Sequence, residues 1–344
     1  MVFDRPFVSV VMPVRNERAY IERCLNNILL QDYPKDSFEI IVADGQSTDG
    51  TREIIEKFKN KHGNLKLIDN LGKIVSPGLN SIMKIAGGSI IVRVDGHCEI
   101  APDYIRNAVM LLEEYPEAAG VGGPIETIGQ DWISKSVAIA MSSKFGVGGS
   151  AFRTIKDKER YVDTIAFPAY RREIIEKAGS YDEELVRNQD DEYNYRLRKM
   201  GFKLLLSPKM KSCYYSRSSI SKLFSQYFQY GFWKVRVLQK HPKQMLPRQF
   251  APFLFIFFLL VFICFSAVSS SAKSALIFLL IVYGSVNLLV SLVESAKAGW
   301  SFLIILPLIY SALHFGYGLG FSVGLGKFWN RWNLNESKES SNKT

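Results

Sequence analysis

Between Gln249 and Gly326 the chain carries three charged side chains, Lys273, Glu294 and Lys297, while residues 1–248 have the charge content of a soluble protein. A stretch so poor in charge has few places to go, and lipid is the first of them. Phe250 to Ala272 is uncharged for 23 residues. At about 1.5 Å per helical residue that run can cross a hydrocarbon core of about 30 Å. Ser274 to Val293 forms a second candidate span, and Ala298 to Gly326, interrupted by Pro307, a third. The last of these repeats small residues: Gly316, Gly320 and Gly324 form one row, and Gly318, Ser322 and Gly326 the next. Such spacing lets helices approach closely. His314 stands beside the row, where an interhelical hydrogen bond is the expected use.

The charge is as uneven as the hydropathy. From Arg196 to Arg248 there are thirteen Lys and Arg and no Asp or Glu, within a chain of net charge +10. A basic run can serve nucleic acid. Here it leads directly into the apolar region, as the cytoplasmic flanks of membrane helices do. The expected organisation is therefore a cytoplasmic domain over residues 1–248, a membrane region of about three spans over 249–326, and a polar tail over 327–344. Three spans export the tail, against the charges of Lys327 and Arg331, and a re-entrant third segment relieves that conflict. The first apolar run, Phe7 to Val14, is too short for a secretory signal. Four cysteines without CxxC spacing suggest a reducing compartment.

The first domain alternates strand and helix patterns. "FVSVVMP" (7–13), "FEIIVADG" (38–45), "NLKLID" (64–69) and "IIVRV" (90–94) read as strands, with helices predicted over 20–31, 51–61 and about 77–86. This order implies an α/β fold with a mostly parallel sheet. Ligands of such sheets sit beyond the carboxyl ends of the strands. The turn after the first strand, "VRNERAY", has no glycine, so neither a dinucleotide fingerprint nor a P-loop is present. Polar residues stand there instead: Arg15, Asn16 and Glu17. Asp44 ends the second strand, where it can accept hydrogen bonds from a base or a ribose; a turn-making role is the plain alternative, which Ser47, Thr48 or Asp49 fill better.

Asp95 and His97 follow the fourth strand. Residues two apart on extended chain point the same way, so a carboxylate and an imidazole can reach one cation. That donor pair suits Mg²⁺ or Mn²⁺ bridging to phosphates, with a turn-making Asp and a hydrogen-bonded His as the plain alternative. Further on, "VRNQDDEYNYRLRKMG" (186–201) places Asp190, Asp191 and Glu192 at a helix start. Capping explains carboxylates there, and so does a general base whose acidic neighbours raise its pKa. In "DWISKSVAIAMSSKFGVGGSAFR" (131–153), Trp132, Ile133, Val137, Ala140 and Met141 approximate one helical stripe ahead of three glycines, a pattern suited to a lid at the membrane surface or to a core helix with a loop.

Taken together, "VSVVMPVRNE", "FEIIVADGQSTDGT", "RVDGHCEI", "FPAYRREIIEKAGSYDEEL", "NQDDEYNYRLRKMG" and "QYFQYGFWK" resemble family 2 glycosyltransferases of the glycosyltransferase-A fold. The match runs through most of residues 7–240. The Asp-x-His variant and the glycine-rich last span look most like membrane-bound enzymes of the succinoglycan-biosynthesis glucosyltransferase type. The resemblance implies that Asp44 recognises the nucleotide base, uracil by expectation, with Pro13, Arg15 and Glu17 lining that pocket. Asp95 would hold metal and ribose, and His97 would replace the second Asp of the family's Asp-x-Asp motif. Asp190 would be the catalytic base, next to a Gln189 that stands where the family has Glu. Gln226, Lys234 and Arg236 would contact the diphosphate or the acceptor. The processive signature Gln-x-x-Arg-Trp is not met, which implies one sugar per acceptor.

The implied activity is an inverting, metal-dependent transfer from a nucleotide sugar, UDP-linked by expectation, to a hydroxyl of a lipid-linked saccharide in polysaccharide or glycolipid biosynthesis. Mg²⁺ or Mn²⁺ is the implied cofactor. The partners are the donor, the lipid-linked acceptor and the membrane, with no nucleic acid. A bare polyprenyl-phosphate acceptor, or a catalytically silent membrane scaffold of the same fold, is the rival reading. Three spans with almost no internal charge make a channel or transporter a poor description.

Overall fold

The structure is a computed structural model that describes residues 5–332; the end of the expected polar tail, residues 333–344, lies outside them. The chain divides into two compact units, one from the described part of Met1–Glu126 with Ala151–Tyr215, the other from Thr127–Ser150 with Ser216 onward.

The first unit is built on an eight-stranded sheet. Its strands are β1 (Val8–Val14), β2 (Phe38–Asp44), β3 (Leu65–Asp69), β4 (Ile90–Arg93), β6 (Ala118–Gly122), β8 (Arg160–Tyr161), β9 (Ala169–Arg171) and β10 (Lys203–Leu206), in the order β3-β2-β1-β4-β9-β6-β10-β8. The neighbours β3-β2, β2-β1, β1-β4 and β6-β10 pair in parallel; β9 runs against both of its neighbours. A separate ladder pairs β5 (Cys98–Ile100) with β11 (Ser212–Tyr215) in antiparallel fashion. The remaining strand, β7 (Ile125–Ile128), follows β6 closely.

The sequence explains the centre of this sheet. All seven residues of β1 and of β2 are buried, as expected of Val- and Ile-rich strands covered on both faces. The helices Ile21–Leu29, Thr51–Lys61 and Val75–Met83 return the chain between parallel strands. Pro77 sits near the start of the third, where its missing N–H costs nothing. Val11, Ile41, Leu79, Ile82 and Ile91 pack with Tyr170, Tyr181, Tyr193 and Leu197 into one core. Chain order runs outward from β1 on both sides, so the crevice between the loops after β1 and β4 is the topological switch point where ligands bind.

The second unit is helical. Ile220–Lys240 is capped by Ser219, whose Oγ accepts the Lys222 N–H at 3.2 Å. It packs along the final helix, Leu306–Lys327. The small-residue rows are the reason. A Cβ at Gly320 would stand 2.0 Å from the carbonyl oxygen of Phe228, and one at Gly231 would stand 2.0 Å from that of Tyr317. Gly316 and Gly324 meet Phe224 and Phe232 in the same way, while Gly318, one row round, meets Pro252. His314 makes the expected interhelical bond: Nδ1 lies 3.1 Å from Tyr283 Oη, and Nε2 lies 2.8 Å from the Phe145 carbonyl oxygen.

Among the described residues, Ser270–Ala298 and Leu306–Lys327 are long and apolar enough to cross a membrane. The first apolar run forms a helix of 15 residues, Ala251–Phe265, or about 22 Å at 1.5 Å per residue. It stops where serines compete for the backbone: Ser266 Oγ donates to the Ile263 carbonyl at 2.8 Å, and Ser269 Oγ caps the next helix by accepting the Ala272 N–H. The protein leaves most of the helix Ser270–Ala298 uncovered, since 11% of its most apolar stretch is buried; for Leu306–Lys327 the figure is 56%. The segment whose pattern suits either a lid or a core helix belongs to this unit up to Ser150. Its helix Trp132–Ser142 begins with an Asp131–Ser134 capping box. It docks on the final helix through Ser143, whose Oγ lies 3.1 Å from Tyr310 Oη, and through the Phe145 ring against Tyr310 and His314.

Candidate active site

The sequence-predicted residues of the first unit gather at the carboxyl ends of β1, β2 and β4. The loop after β1 is laced to the loop after β2 by three bonds: Asn16 N–H to Ser47 Oγ at 2.9 Å, Thr48 N–H to Asn16 Oδ1 at 2.9 Å and Glu17 N–H to Thr51 Oγ1 at 2.8 Å. Asn16 and Gln46 adopt positive φ of 55° and 57° at the two bends. Asp49, not Asp44, serves the helix start, accepting from the Thr51 N–H and hydroxyl. Its carboxyl is held below the usual carboxylate range because these bonds and the Arg18 N–H outweigh the effect of burial.

Asp44 is fully buried. Its Oδ2 accepts from Arg52 Nη1 at 3.3 Å, and the Ser47 N–H lies 3.3 Å from both of its oxygens. Arg52 also holds Asp69 at 2.7 Å and Glu56 at 3.2 Å. Pro13 is buried within β1, whereas Arg15 is exposed at its mouth.

The turn after β4 is fixed by a thiol. Cys24 Sγ donates toward the carbonyl oxygens of Gly96 at 3.1 Å and Cys98 at 2.9 Å, and burial pushes this thiol up to about 12. A Cβ at Gly96 would stand 3.0 Å from Glu17 Cγ, so glycine admits the Glu17 side chain. Glu17 Oε1 then lies 2.8 Å from His97 Nδ1. The His97 ring also meets Tyr214 edge to face at 5.2 Å. Glu17, expected to line the base pocket, thus orients the imidazole. When Nδ1 carries the proton toward Glu17, Nε2 is the nitrogen whose lone pair a cation would use.

Arg93, the last residue of β4, was not singled out by the sequence reading. Its side chain is 5% exposed. Nε and Nη2 donate to Asp95 Oδ1 at 3.2 and 3.0 Å, and Nη1 contacts Asp190 Oδ1. Burial opposes the charge, but Asp95, Tyr181 and Tyr170 outweigh it and hold the guanidinium above its ordinary value. Asp95 and Asp190, distant in sequence, therefore meet on one cation. The signal was present in "IIVRVDG": a lone arginine inside an otherwise apolar strand must find a buried anion.

Asp190 lies in the first turn of the helix Gln189–Lys199, after Asn188 at a positive φ of 61°. Its side chain is 43% exposed. Of its acidic neighbours, Glu192 is buried and turned into a fork with Arg196, at 3.0 and 2.6 Å. Glu192 is therefore a structural partner, and the charge nearest Asp190 is Arg93. Gln189 is 5% exposed, and its Oε1 has no hydrogen bond among the described residues.

Among the described residues no three His, Cys, Asp or Glu side chains converge as a self-sufficient metal cage. A cation that shares substrate phosphates needs only one or two protein ligands. Asp95 and His97 fit that need: Arg93 engages Oδ1 of Asp95, its Oδ2 makes no hydrogen bond among the described residues, and His97 has the carboxylate partner usual for a ligating imidazole.

Gln226, Lys234 and Arg236 lie in the other unit, on Ile220–Lys240. Gln226 Nε2 donates to Tyr230 Oη at 2.9 Å. Lys234 is buried, and Arg236 is buried too, contacting Gln239 Oε1 and lying 5.6 Å from the Phe328 ring centre.

Residues 9–179 match the family described as Glycosyl transferase family 2. The dolichyl N-acetyl-alpha-D-glucosaminyl phosphate 3-beta-D-2,3-diacetamido-2,3-dideoxy-beta-D-glucuronosyltransferase of Methanococcus voltae is 32% identical over 241 residues, covering 68% of this chain and 74% of that protein. The succinoglycan biosynthesis protein ExoA of Rhizobium meliloti is 32% identical over 237 residues, covering 67% and 70%. Among solved structures, the mannosyltransferase PcManGT from Pyrobaculum calidifontis, in complex with GDP-Man and Mn²⁺, superposes with a TM-score of 0.60 at 20% identity, over 94% of this chain and 88% of its own. That likeness identifies the glycosyltransferase-A fold.

Proposed function

We propose, from the premise that this chain belongs to glycosyltransferase family 2, that it moves one sugar from a UDP-linked donor to a hydroxyl of a membrane lipid-linked saccharide. The anomeric carbon is inverted in the transfer. The observation that carries this reading is the meeting of Asp95 and Asp190 on Arg93, which unites a donor-side and an acceptor-side carboxylate.

Asp190 is the base: exposed on one side and held on the other, it takes the proton of the acceptor hydroxyl as that oxygen attacks. A single displacement on an α-linked donor gives a β-linked product. Asp95 and His97 would hold Mg²⁺ or Mn²⁺, and Glu17 orients the imidazole for it. The bound cation would supply Lewis-acid stabilisation of the leaving diphosphate. Asp44 and Arg15, with Pro13 beside them, form the nucleotide side. Contact of Gln226, Lys234 or Arg236 with the diphosphate or acceptor is part of the proposal. The lipid-linked acceptor is supported by the substrate in the name of the Methanococcus voltae relative and by two helices suited to a membrane. The catalytic domain faces the cytoplasm in this reading, in accord with the basic run before the apolar region.

The test is a screen of nucleotide sugars with Mg²⁺ or Mn²⁺ against a membrane-lipid extract, with products identified by mass spectrometry and anomeric configuration by NMR. A β-linked sugar on a lipid-linked saccharide, lost in Asp190→Asn, is expected. Retained configuration removes Asp190 from its role. A product on bare polyprenyl phosphate changes the acceptor. No transfer from any donor leaves the silent scaffold.

A further inference from the structure

We propose that Arg93 is a positioning residue that sets Asp95 and Asp190 relative to each other, so that the donor-side and acceptor-side carboxylates are assembled before either substrate arrives. The inference rests on the roles given above to those two aspartates and adds the group that couples them.

Three observations carry it. The guanidinium is buried, so water reaches the contacts only from the side of Asp95 and Asp190, which are 27% and 43% exposed. Its N–H groups are divided between the two partners: Nε and Nη2 to Asp95, Nη1 to Asp190. A planar fork with donors on separate edges can do this, whereas an ammonium offers one charged point. Its backbone is also fixed, because Arg93 pairs with Val11 in the sheet and its N–H donates to the Pro168 carbonyl at 2.9 Å. The sheet thus fixes the guanidinium, and the guanidinium fixes the carboxylates.

The chemistry that follows is specific. Arg93 contacts a single oxygen of each aspartate, Oδ1 in both cases. The second oxygen of Asp95 is left for ribose or a cation, and that of Asp190 for the acceptor proton. Without Arg93 two like charges share a small volume with no cation between them, and Asp190 has lost its anchor. Donor binding does not require Arg93 in this scheme: a cation held by Asp95 would itself place that carboxylate, and the guanidinium competes with it. The reaction does depend on it, through the placement of Asp190.

The full-length protein in detergent or nanodiscs serves for the test, with Arg93→Gln, Arg93→Lys, Asp190→Asn and the double variant Arg93→Gln/Asp190→Asn. Binding of UDP with Mn²⁺ is measured by calorimetry, and kcat and KM by sugar transfer. In Arg93→Gln the Kd for UDP with Mn²⁺ is expected to stay within about threefold of wild type or to tighten. Its kcat is expected to fall on the order of 100-fold, the effect of misplacing a reacting group by about 1 Å. Arg93→Lys recovers little of that loss. The double variant is no slower than Asp190→Asn alone, because Arg93 acts through Asp190. An unchanged kcat in Arg93→Gln overturns the inference. So does a Kd that weakens in step with kcat, which a merely structural role would give, and so does a double variant whose losses multiply. A wild-type protein that binds no nucleotide overturns the functional reading itself, and this inference with it, before any variant is made.

Discussion

The helix pair of the second unit makes the most quantitative demand on the structure. In Gly320→Ala the new methyl would lie 2.0 Å from the Phe228 carbonyl oxygen, 2.8 Å from its carbon and 2.9 Å from its Cα, where ordinary contact begins at 3.4 Å. All three atoms are backbone, so no side chain can swing aside. The helices must separate by roughly 1 Å, and overpacking of this kind costs about 1–3 kcal/mol. Alanine's better helix propensity offsets about 1 kcal/mol of that. Because the clash is with backbone, the upper part of the range applies and the net loss is about 2 kcal/mol. Gly326→Ala is the control, since nothing lies within 4 Å of its added Cβ; it gains up to about 1 kcal/mol from propensity alone. Thermal and denaturant unfolding in one detergent, followed by near-ultraviolet circular dichroism, separates the two. The expected order of stability is Gly326→Ala, wild type, Gly320→Ala. If Gly320→Ala unfolds together with or after wild type, the close helix contact is not present in the protein and the explanation of the glycine rows is wrong.

Two further predictions concern carboxylates of the first unit. Glu17→Gln removes the charged partner of His97 Nδ1, and Mn²⁺ affinity in the presence of UDP is expected to fall about 10–100-fold by calorimetry; unchanged affinity separates His97 from the cation. Glu39 is held below the usual carboxylate range: burial pushes it up, but Lys66, the Gly87 N–H and Ser9 outweigh burial. A depressed folded value means that the stabilisation is complete above the unfolded value of about 4.3 and is lost as pH falls through the folded one. Glu39→Gln should be less stable than wild type at neutral pH, with the gap narrowing in acid; a gap that persists unchanged at pH 2.5 would falsify the assignment.

The strands that frame the site were legible because they are short, Val- and Ile-rich and separated by helical periods; β1, β2, β3 and β4 lie within a residue of their expected limits. Asp44 and Asp95 were legible for the same reason, as polar residues at the ends of apolar strands. Arg93 was not, because an alternation pattern scores hydropathy and says nothing about which anion a lone strand cation will meet. Its partner Asp190 arrives from a helix far along the chain. Charge and position alone did not separate Glu192 from Asp190, and only the family resemblance chose Asp190; the i, i+4 spacing of Glu192 and Arg196 is the further sequence feature that sets Glu192 apart. The glycine rows correctly announced a close helix contact. The partner was missed because Ile220–Lys240 reads as a basic stretch, and its small residue, Gly231, is isolated. The serines at 266 and 269–271 shortened the first apolar helix, since hydroxyls offered the backbone carbonyls and amides an alternative to continuing.

Charge matching ties the site's parts to one another. Four carboxylates, those of Glu17, Asp44, Asp95 and Asp190, lie at or near the strand ends of the first unit, and the fold supplies each with a basic partner. His97, after β4, meets Glu17 from the β1 loop. Arg52, from the helix Thr51–Lys61, meets Asp44 at the end of β2. Arg93, at the end of β4, meets both Asp95 and Asp190. The arrangement leaves an asymmetry. Asp44 is fully buried against an arginine of its own that is 37% exposed, whereas Asp95 and Asp190 share one buried guanidinium and retain an oxygen each. In the proposed reaction a divalent cation and a diphosphate entering together would bring nearly balanced charge to the shared pair. The half-matched aspartates are the ones that can accept new partners without leaving a buried charge alone, and they are the two that the proposed chemistry uses.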